Sequence, residues 1–369
     1  MKKLIYVTYQ TFPANTANSL QTISNIAYLN KNECAVDLYF PLREKASSGD
    51  YTTISNYYSV DSKFNVFGLK HNYPHGKVQF LKPLFYHISH FFWSKNIVKQ
   101  YFKHNSQDFF ITRSDWIAYF LGKQGSSVAF EVHQTSKLRS FILKKLSTLS
   151  NVKIIFLHEN LKKRYEEINY NKNIVLHNGV DASLFNNNVS KEKNKIVFLG
   201  KLTRFNQTRG IEQLITFFHE EYVKENFSLD IVGCSKKEQK TIMELIKKHN
   251  LEDKITTFEW LNRKDAISKI QTAEYGLLLN TPENEHSYLY TSPLKYFEYL
   301  YAGLKVLAVD FPSHNDLPLS KNINFFNLKD TESFIEALKN AKEADAPSSE
   351  ELSLITLDSR AKKIIDFIF

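Results

Sequence analysis

The sequence has 369 residues, a net charge of +9, and 43% hydrophobic and 14% aromatic residues. This length suits two domains of ordinary size, and the apolar fraction excludes a disordered chain. The apolar runs are too short for a membrane-spanning helix, and the start MKKLIYVTYQ predicts a first strand rather than a signal peptide. The only cysteines, Cys34 and Cys234, exclude a disulfide-rich or zinc-centred protein and favour a reducing cytoplasm.

The basic excess lies entirely in residues 1–185, because the remainder of the chain is slightly acidic. Nucleic acid, an anionic membrane surface or an anionic acceptor would each explain this asymmetry, and so would solubility alone.

Short β-branched and aromatic runs alternate with longer amphipathic stretches, which predicts parallel sheets with helices on both faces. In the first half we predict the strands Leu4–Tyr9, Ala35–Phe40, Phe109–Thr112, Ser127–Val132, Lys153–Leu157 and Asn173–His177, with helices at Ser19–Leu29, Asp115–Gly122 and Lys137–Leu146.

The same alternation then restarts. In the second half we predict the strands Lys195–Leu199, Leu229–Val232, Ile255–Phe258, Tyr275–Leu279 and Val306–Val309, separated by helices at Ile211–Tyr222, Lys236–His249, Arg263–Gln271 and Pro293–Ala302. Two series predict two doubly wound Rossmann-like domains facing a central cleft. We place the domains at 1–182 and 196–352, with a polar linker at 183–195 and a closing helix within 353–369 that packs back on the first domain.

The usual motifs of other α/β proteins are missing from the sequence. The first strand-to-helix turn, TYQTFPANTANSL, has no glycine, so the G-x-G-x-x-G dinucleotide motif is absent. A G-x-x-x-x-G-K-[ST] phosphate loop and a G-x-S-x-G nucleophile elbow are absent as well.

The segment YTSPLKYFEYLYAG predicts a nucleotide site at the start of a helix. Ser292 suits the N-cap and Pro293 the first helical position, followed by Leu294 and Lys295. Free N–H groups there would face a diphosphate, and Lys295 would add charge. One turn later, the carboxylate of Glu298 suits the two hydroxyls of a ribose. The competing interpretation is a capped core helix with an exposed glutamate.

A second cationic element is the loop GKLTRFNQTRG, which follows a predicted strand directly. Lys201 and Arg209 bracket this loop, and Gly200 begins it. Cations at a strand–loop–helix junction can stabilise a diphosphate leaving group. Loop cations are more often simply solvated, but their position within a nucleotide-binding domain favours the functional interpretation.

Several segments, taken in order along the chain, resemble family-4 glycosyltransferases. IVLHNGVDASLF resembles their interdomain segment, GKLTRFNQTRG their cationic loop, LDIVG their following strand and SPLKYFEYLYAGLKVLAVD their strand–helix–strand. FPANTANSLQTISNIAYL resembles the opening of their acceptor domain, and ITRSDWIAYFLGKQGSSVAFEVHQ the segment that ends in a donor-facing histidine. The resemblance implies a GT-B fold of two Rossmann-like domains.

The resemblance also implies roles for single residues. Lys201 and Arg209 would bind the donor phosphates, and Glu298, the second glutamate of the family's E-x7-E motif, would bind the ribose. His133 would lie near the transferred sugar, although a buried structural histidine is the competing interpretation. The opening loop and helix, with Asn15, Asn18 and Ser19, would contact the acceptor.

Two departures from the family pattern affect the donor site. Tyr290 occupies the position of the first E-x7-E glutamate, so Glu285 or Glu283 in the preceding loop would have to supply that carboxylate, or the site works without one. The loop from Lys201 to Arg209 is also longer than usual, which leaves open which cation meets which phosphate.

The resemblance implies a retaining transfer without metal or cofactor, from a UDP- or GDP-sugar to a glycan or lipid-linked saccharide. Bacterial cell-surface polysaccharide synthesis in the cytoplasm, at the inner face of the membrane, is the expected setting. The segment Phe80–Phe102 combines aromatics with Lys82, Lys95 and Lys99, which suits peripheral contact with anionic lipid or an amphipathic core helix equally well.

Three other functions remain as alternatives. A nucleotide-sugar epimerase would share the fold, whereas a glycan phosphorylase would need a pyridoxal-phosphate lysine that the sequence does not indicate. A non-catalytic scaffold would explain Tyr290. Nucleic-acid binding would explain the basic half, but no known motif supports it, and we predict no nucleic-acid partner.

Overall fold

A computed structural model of the chain describes residues 2–73, 82–103, 107–186, 189–204 and 207–369, without the side chains of Lys82 and Pro83. The chain divides into two compact units. The first unit combines Met1–Leu176 with Leu357–Phe369, and the second is His177–Thr356. The predicted boundary after residue 182 therefore lies slightly C-terminal to this division, and the segment 177–182 belongs to the second unit.

The described part of the first unit contains one parallel sheet in the order β3-β2-β1-β4-β5-β6-β7. Its strands are β1 (Lys2–Val7), β2 (Cys34–Leu42), β3 (Asn65–Lys70), β4 (Phe109–Thr112), β5 (Ser127–Val132), β6 (Val152–Phe156) and β7 (Asn173–Val175). The chain winds outward from β1 to β3 and then returns to β4, so the order of the strands reverses between β1 and β4. Ligands of open parallel sheets bind at such a switch point.

Helices join these strands. They are α1 (Ala17–Lys31), α2 (Tyr51–Tyr58), α3 (Lys82–Tyr101), α4 (Asp115–Lys123), α5 (Lys137–Leu146) and α6 (Glu159–Arg164). The C-terminal helix, Leu357–Ile368, also belongs to this unit. Its apolar face, through Ala361, Ile364, Ile365 and Ile368, packs into one core cluster with Ile23 and Ile26 of α1. This helix covers the later part of the segment 353–369 for which we predict packing on the first domain.

The described part of the second unit contains a parallel sheet in the order β12-β11-β8-β13-β14-β15 and a two-stranded antiparallel hairpin. Its strands are β8 (Lys195–Leu199), β9 (Thr203–Arg204), β10 (Gln207–Thr208), β11 (Ser228–Cys234), β12 (Ile255–Glu259), β13 (Tyr275–Leu278), β14 (Lys305–Val309) and β15 (Ile323–Phe326). Ile196 and Phe198 belong to one core cluster and Val197 to another. Because side chains of a strand alternate between faces, both faces of this sheet are buried, as in Rossmann-like folds.

The helices of the second unit are α7 (Ile211–Phe217), α8 (Glu221–Asn226), α9 (Lys236–Lys248), α10 (Arg263–Thr272), α11 (Glu285–Leu289), α12 (Leu294–Tyr301), α13 (Pro312–Asn315), α14 (Thr331–Glu343) and α15 (Ser349–Leu354), with 3-10 turns at Ala182–Leu184 and Ser320–Asn322. The strand order reverses between β8 and β13, which is the switch point of this sheet. No helix in the described ranges is long and apolar enough to cross a membrane.

The structure differs from the predicted elements in two ways. The single helix predicted over 211–222 is wrong, because α7 ends at Phe217 and α8 begins at Glu221. Phe218 and Val223 are both fully buried, yet on one straight helix they would point about 140° apart. The elements that were not predicted are β3, β9, β10, β15, α2, α6, α11, α13, α14 and α15. Half of the side chains of β3 are exposed at the sheet edge, so this strand lacks the apolar run of an inner strand.

Candidate functional site

Two cations of the second unit converge on Gly200, the first residue after β8. Gly200 has a φ of 143°, and a Cβ atom at this residue would lie 2.9 Å from Nζ of Lys295 and 3.4 Å from Nη1 of Arg209. Only glycine leaves room for both cations in this backbone conformation. Lys295 lies in the first turn of α12 and Arg209 directly follows the hairpin, and the two meet at the switch point between β8 and β13. We call this arrangement the cation cradle.

The charged ends of both cradle cations are buried, and each has a nitrogen atom that lacks a hydrogen-bond partner. Arg209 is 7% exposed, and neither its Nε nor Nζ of Lys295 has a hydrogen-bond partner. Burial, reinforced by Arg209, lowers the pKa of Lys295 well below its ordinary value, and burial lowers the pKa of Arg209 to about 10. Nζ of Lys295 lies 4.5 Å from the centre of the Phe198 ring. This ring offers a cation–π contact but accepts no hydrogen bond. An anion at this point would satisfy both cations.

The helix α12 begins beside the cradle, although not as we predicted. Its N-cap is Pro293 rather than Ser292, and no side chain caps it. The hydroxyl of Ser292 instead accepts a hydrogen bond from the backbone N–H of Asn178 at 3.2 Å, and the side-chain amide of Asn178 donates to the carbonyl of Ser292. Asn178, in the NGVD segment, therefore fixes the entry to α12. The first N–H groups of the helix, including that of Leu294, are left for a ligand.

Glu298 lies one turn into α12 and is almost fully buried, with 4% exposure. Its Oε1 lies 2.5 Å from Nη2 of Arg263, the first residue of α10. This ion pair uses one carboxylate oxygen, and the other oxygen remains as an acceptor. Sequence reasoning did not identify Arg263, since nothing local marks it as the partner of a residue on another helix.

Tyr290, which occupies the position expected for a glutamate, contacts a glutamate of the preceding loop. Tyr290 is 3% exposed, and its hydroxyl donates to Oε1 of Glu285 at 3.1 Å. The tyrosine at the position of the family's first glutamate therefore holds a carboxylate from the preceding loop. Glu283 is exposed.

Lys201 is exposed, unlike the two cradle cations. Its Nζ lies 5.9 Å from the centre of the Trp260 ring, just after β12. The pair that the structure brings together at Gly200 is therefore Arg209 with Lys295, not the predicted bracket of Lys201 with Arg209. The two loop residues between β9 and β10 lie outside the described ranges.

In the first unit, His133 lies at the carboxyl edge of the sheet, next to Arg113. These residues follow the paired strands β5 and β4, and Nη2 of Arg113 lies 2.7 Å from Nδ1 of His133. A guanidinium only donates, so Nδ1 accepts and the ring hydrogen resides on Nε2. Burial and the charge of Arg113 lower the pKa of His133 to about 3, so the ring is neutral at physiological pH.

Glu131 lies beneath His133 and connects it to the C-terminal helix. Its Oε1 accepts from Nη2 of Arg360 at 2.7 Å, and its Oε2 lies 3.3 Å from the hydroxyl of Tyr6 and 3.8 Å from Nε2 of His133. Burial alone would raise the pKa of Glu131, but Arg360, His133 and Arg113 outweigh it and hold that pKa well below its ordinary value. The carboxylate is therefore charged, and at 3.8 Å it lies beyond hydrogen-bond distance of Nε2 of His133, so that N–H group stays available.

The predicted acceptor residues lie at the start of α1, and one of them joins this network. Nη1 of Arg113 donates to the carbonyl of Asn18 at 3.3 Å, and Nη2 lies 3.4 Å from its Oδ1. Ser19 is buried, and its N–H donates to the capping hydroxyl of Thr16. Asn15 is exposed. The structure thus brings Asn18 and His133 together through Arg113, which sequence reasoning missed.

Comparison with known proteins gives a family for the second unit. The family model of glycosyl transferases group 1 matches residues 180–352. The second unit carries a glycosyl transferases group 1 domain. The cradle, α12 and Glu298 all belong to this domain. Among proteins with curated functions, none matches the sequence.

Solved structures resemble the whole chain. Sucrose-phosphate synthase from Thermosynechococcus elongatus aligns at 13% identity over 99% of this chain and 98% of that chain, with a TM-score of 0.68. HepE from Anabaena in complex with UDP aligns at 11% identity over 99% of both chains, with a TM-score of 0.64. The lipopolysaccharide outer core galactosyltransferase WaaB aligns at 12% identity over 100% of this chain and 99% of that chain, with a TM-score of 0.66. These similarities show the GT-B fold of two Rossmann-like domains.

Proposed function

We propose that the chain is a retaining glycosyltransferase that moves a sugar from a nucleoside diphosphate sugar to a hydroxyl of a saccharide acceptor. The observation that carries this proposal is the cation cradle, since two buried cations without hydrogen-bond acceptors converge where a glycine leaves space. The cradle belongs to the glycosyl transferases group 1 domain, and HepE, which shares the fold, has been solved with UDP.

The cradle suits the chemistry of a diphosphate leaving group. As the bond between the sugar and the phosphate breaks, negative charge grows on the phosphate oxygens. Preorganised cations in a site that excludes water stabilise that charge more strongly than water would. Arg209, Lys295 and the free N–H groups at the start of α12 would supply this stabilisation without a metal ion or cofactor.

Two carboxylates would position the rest of the donor. Glu298 would accept hydrogen bonds from the ribose hydroxyls through the oxygen that Arg263 leaves available. Glu285 would contact hydroxyls of the transferred sugar, because Tyr290 orients its carboxylate from the position where related enzymes carry a glutamate. UDP or GDP would be the nucleotide.

His133 would act in the first unit as a neutral hydrogen-bond donor. Arg113 occupies Nδ1, and the low pKa prevents protonation, so the ring can offer only its Nε2–H group to a ligand. It would therefore orient a sugar hydroxyl rather than carry the proton of the reaction. A phosphate oxygen of the leaving group would take that proton from the acceptor, which keeps both partners on the same face of the sugar.

We place this activity in bacterial surface-polysaccharide synthesis, with the protein at the inner face of the cytoplasmic membrane. On α3, Leu84, Ile88 and Phe92 form an exposed apolar stripe at four-residue spacing, and Lys95 and Lys99 are exposed beyond it. An apolar stripe beside lysines suits the surface of an anionic bilayer. The start of the predicted segment, Phe80 and Leu81, lies outside the described residues. Cosedimentation with anionic vesicles tests this contact; a Phe92→Glu variant that cosediments equally well would contradict it.

Calorimetric titration with UDP, GDP and CMP tests the donor site. We expect UDP or GDP to bind and Arg209→Gln to weaken binding by about 10- to 100-fold, the effect of losing charge-assisted hydrogen bonds. Lys247→Gln, which removes an exposed charge from α9 of the same unit, is the matched control. Failure of every nucleotide to bind would refute the proposal and favour the scaffold alternative.

Product analysis then separates transfer from epimerisation. We expect nucleotide release from the bound nucleotide sugar to increase when saccharide acceptors are added, with the anomeric configuration kept in the product. An epimerase would instead form an altered sugar without any acceptor.

A further inference from the structure

Another cation with buried nitrogen atoms that lack hydrogen-bond partners lies in the first unit, outside the sites described above. Arg43 is the residue that follows β2, and β2 pairs with β1 at the inner part of the sheet. It therefore lies at the carboxyl edge, the same edge that carries Arg113 and His133 after β4 and β5. Parallel strands are spaced by about 4.8 Å, so three steps from β2 to β5 amount to roughly 14 Å.

Aromatic rings surround this arginine. Its guanidinium carbon lies 4.5 Å from the centre of the Tyr9 ring and 5.4 Å from that of Tyr86. The ring of His90 stacks on Tyr9 at 4.4 Å. Burial and the charge of Arg43 lower the pKa of His90 to about 3, so this histidine is neutral and supplies no opposing charge.

The guanidinium lacks acceptors for part of its hydrogen-bonding capacity. Its Nε and Nη1 atoms are buried and have no hydrogen-bond partner, and the whole side chain is 12% exposed. Oε1 of Glu44 lies 3.7 Å from Nε, which is too long for a hydrogen bond, and the Glu44 side chain is 52% exposed. The Tyr9 hydroxyl is also a hydrogen-bond partner of the Arg43 side chain, but Nε and Nη1 stay without one. Aromatic faces attract the positive charge but cannot accept these two N–H bonds, so the site is electrostatically suited to an oxyanion.

We propose that Arg43 binds an anionic group, a phosphate or a carboxylate, on the saccharide acceptor. This inference rests on the proposed function, because it takes the first unit to hold the acceptor. The backbone N–H of Tyr9 donates to the hydroxyl of Ser114 at 2.9 Å, which ties the aromatic surroundings of Arg43 to the residue next to Arg113. One continuous edge of the sheet would thus hold the attacking hydroxyl near His133 and the anionic group at Arg43.

The test observes Arg43 itself. In the full chain labelled with ¹⁵N-arginine, the Nε–H signal that disappears in Arg43→Gln is the signal of Arg43. With UDP present at saturation, inorganic phosphate, glucuronate and glucose are added in turn at constant ionic strength. We expect a saturable shift of this signal with phosphate, glucuronate or both, and none with neutral glucose; the anion that acts identifies the source of the charge.

A thermal titration gives the second readout. Phosphate or glucuronate should raise the melting temperature of the UDP-bound protein, and Arg43→Gln should weaken the apparent affinity at least about tenfold. Arg164→Gln, which removes an exposed charge of the same unit, should leave it unchanged. If Arg43→Gln does not fold, Arg43→Lys replaces it in this titration. It keeps the positive charge but loses the planar guanidinium that binds an oxyanion through two N–H groups, so it should also weaken the apparent affinity.

The outcomes separate this inference from the proposed function. No shift of the Arg43 signal with any anion, or equal affinity in Arg43→Gln, would show that Arg43 is a structural cation held by aromatic rings. If the native protein does not bind UDP, the proposed function is refuted. The Arg43 signal reports on anion binding in the first unit alone, so its failure to shift refutes only the inference about Arg43.

Discussion

Replacing Lys295 with methionine should stabilise the unliganded protein while removing nucleotide binding. Nζ of Lys295 is buried beside Arg209 without a hydrogen-bond partner, and burial is the main cause of its lowered pKa. Removing a buried charge in favour of an apolar side chain of similar length is neutral or stabilising by about 1 to 4 kcal/mol. The cation–π contact with Phe198, worth about 1 kcal/mol, offsets part of that gain. We therefore expect a net gain of up to about 3 kcal/mol for Lys295→Met.

Scanning calorimetry and titration with UDP measure the two effects separately. For a unit of this size, about 1 kcal/mol corresponds to a rise of roughly 2 to 4 °C in melting temperature. The affinity for UDP should fall by about 10- to 100-fold, because charge-assisted hydrogen bonds to the diphosphate are lost. Lys247→Met, at an exposed position on α9, should change neither quantity appreciably.

The pH dependence of stability provides an independent check on Lys295. Its pKa is lower in the folded state than in the unfolded state, so between those values the unfolded chain holds more protons and stability rises with pH. Lys295→Met should flatten this rise below pH 10.5. A variant that loses stability while binding UDP normally would refute the assignment of Lys295 to an anion site.

Three further results are expected. Gly200→Ala should abolish UDP binding, because its Cβ atom would lie 2.9 Å from Nζ of Lys295. The control Gly303→Ala is also at positive φ, but its Cβ atom would have its nearest contact at 3.9 Å, so it should lower the free energy of unfolding by only about 1 kcal/mol. Calorimetry with and without UDP compares the two variants. His90 and His133 stay neutral in the fold down to about pH 3, so below pH 6.5 the unfolded chain binds more protons than the folded chain. The free energy of unfolding should therefore fall by about 2 kcal/mol per histidine between pH 6.5 and pH 5. Chemical denaturation of His133→Gln across this range should show a shallower fall. Tyr290→Phe should lower kcat without changing UDP affinity, since it frees Glu285; an unchanged kcat would contradict the role of that carboxylate.

The fold was predictable because its inner strands are short apolar runs that alternate with amphipathic segments. The strands β8, β11 and β13 were found within one or two residues for this reason. β3 escaped prediction because an edge strand needs no apolar run, and the break after α7 escaped because it depends on burying Phe218 and Val223 in different directions. Local patterns record which side chains are apolar but not which way the chain must turn to bury them.

The candidate site was predictable only where its residues are close in sequence. Gly200 and Arg209 share one loop, and Lys295 and Glu298 share one turn of a helix, so local motifs marked them. Whether Lys201 or Lys295 joins Arg209 depends on how β8 and α12 meet, which no local spacing records. The pair of Glu131 and Arg360 is harder still, because the C-terminal helix must return to the first unit before the two side chains can meet.

Net charge was a weaker guide to function than unsatisfied charge. The basic excess of residues 1–185 has several explanations, since most of the charges behind it can be solvated at little cost. Arg209 and Lys295 lie instead in the half of the chain with no basic excess, and they are buried without hydrogen-bond acceptors. Such an arrangement costs stability in the unliganded state, and an anionic ligand that supplies the missing acceptors would offset that cost on binding. The same reasoning applies to Arg43, and it separates a binding cation from a solubilising one without reference to sequence similarity.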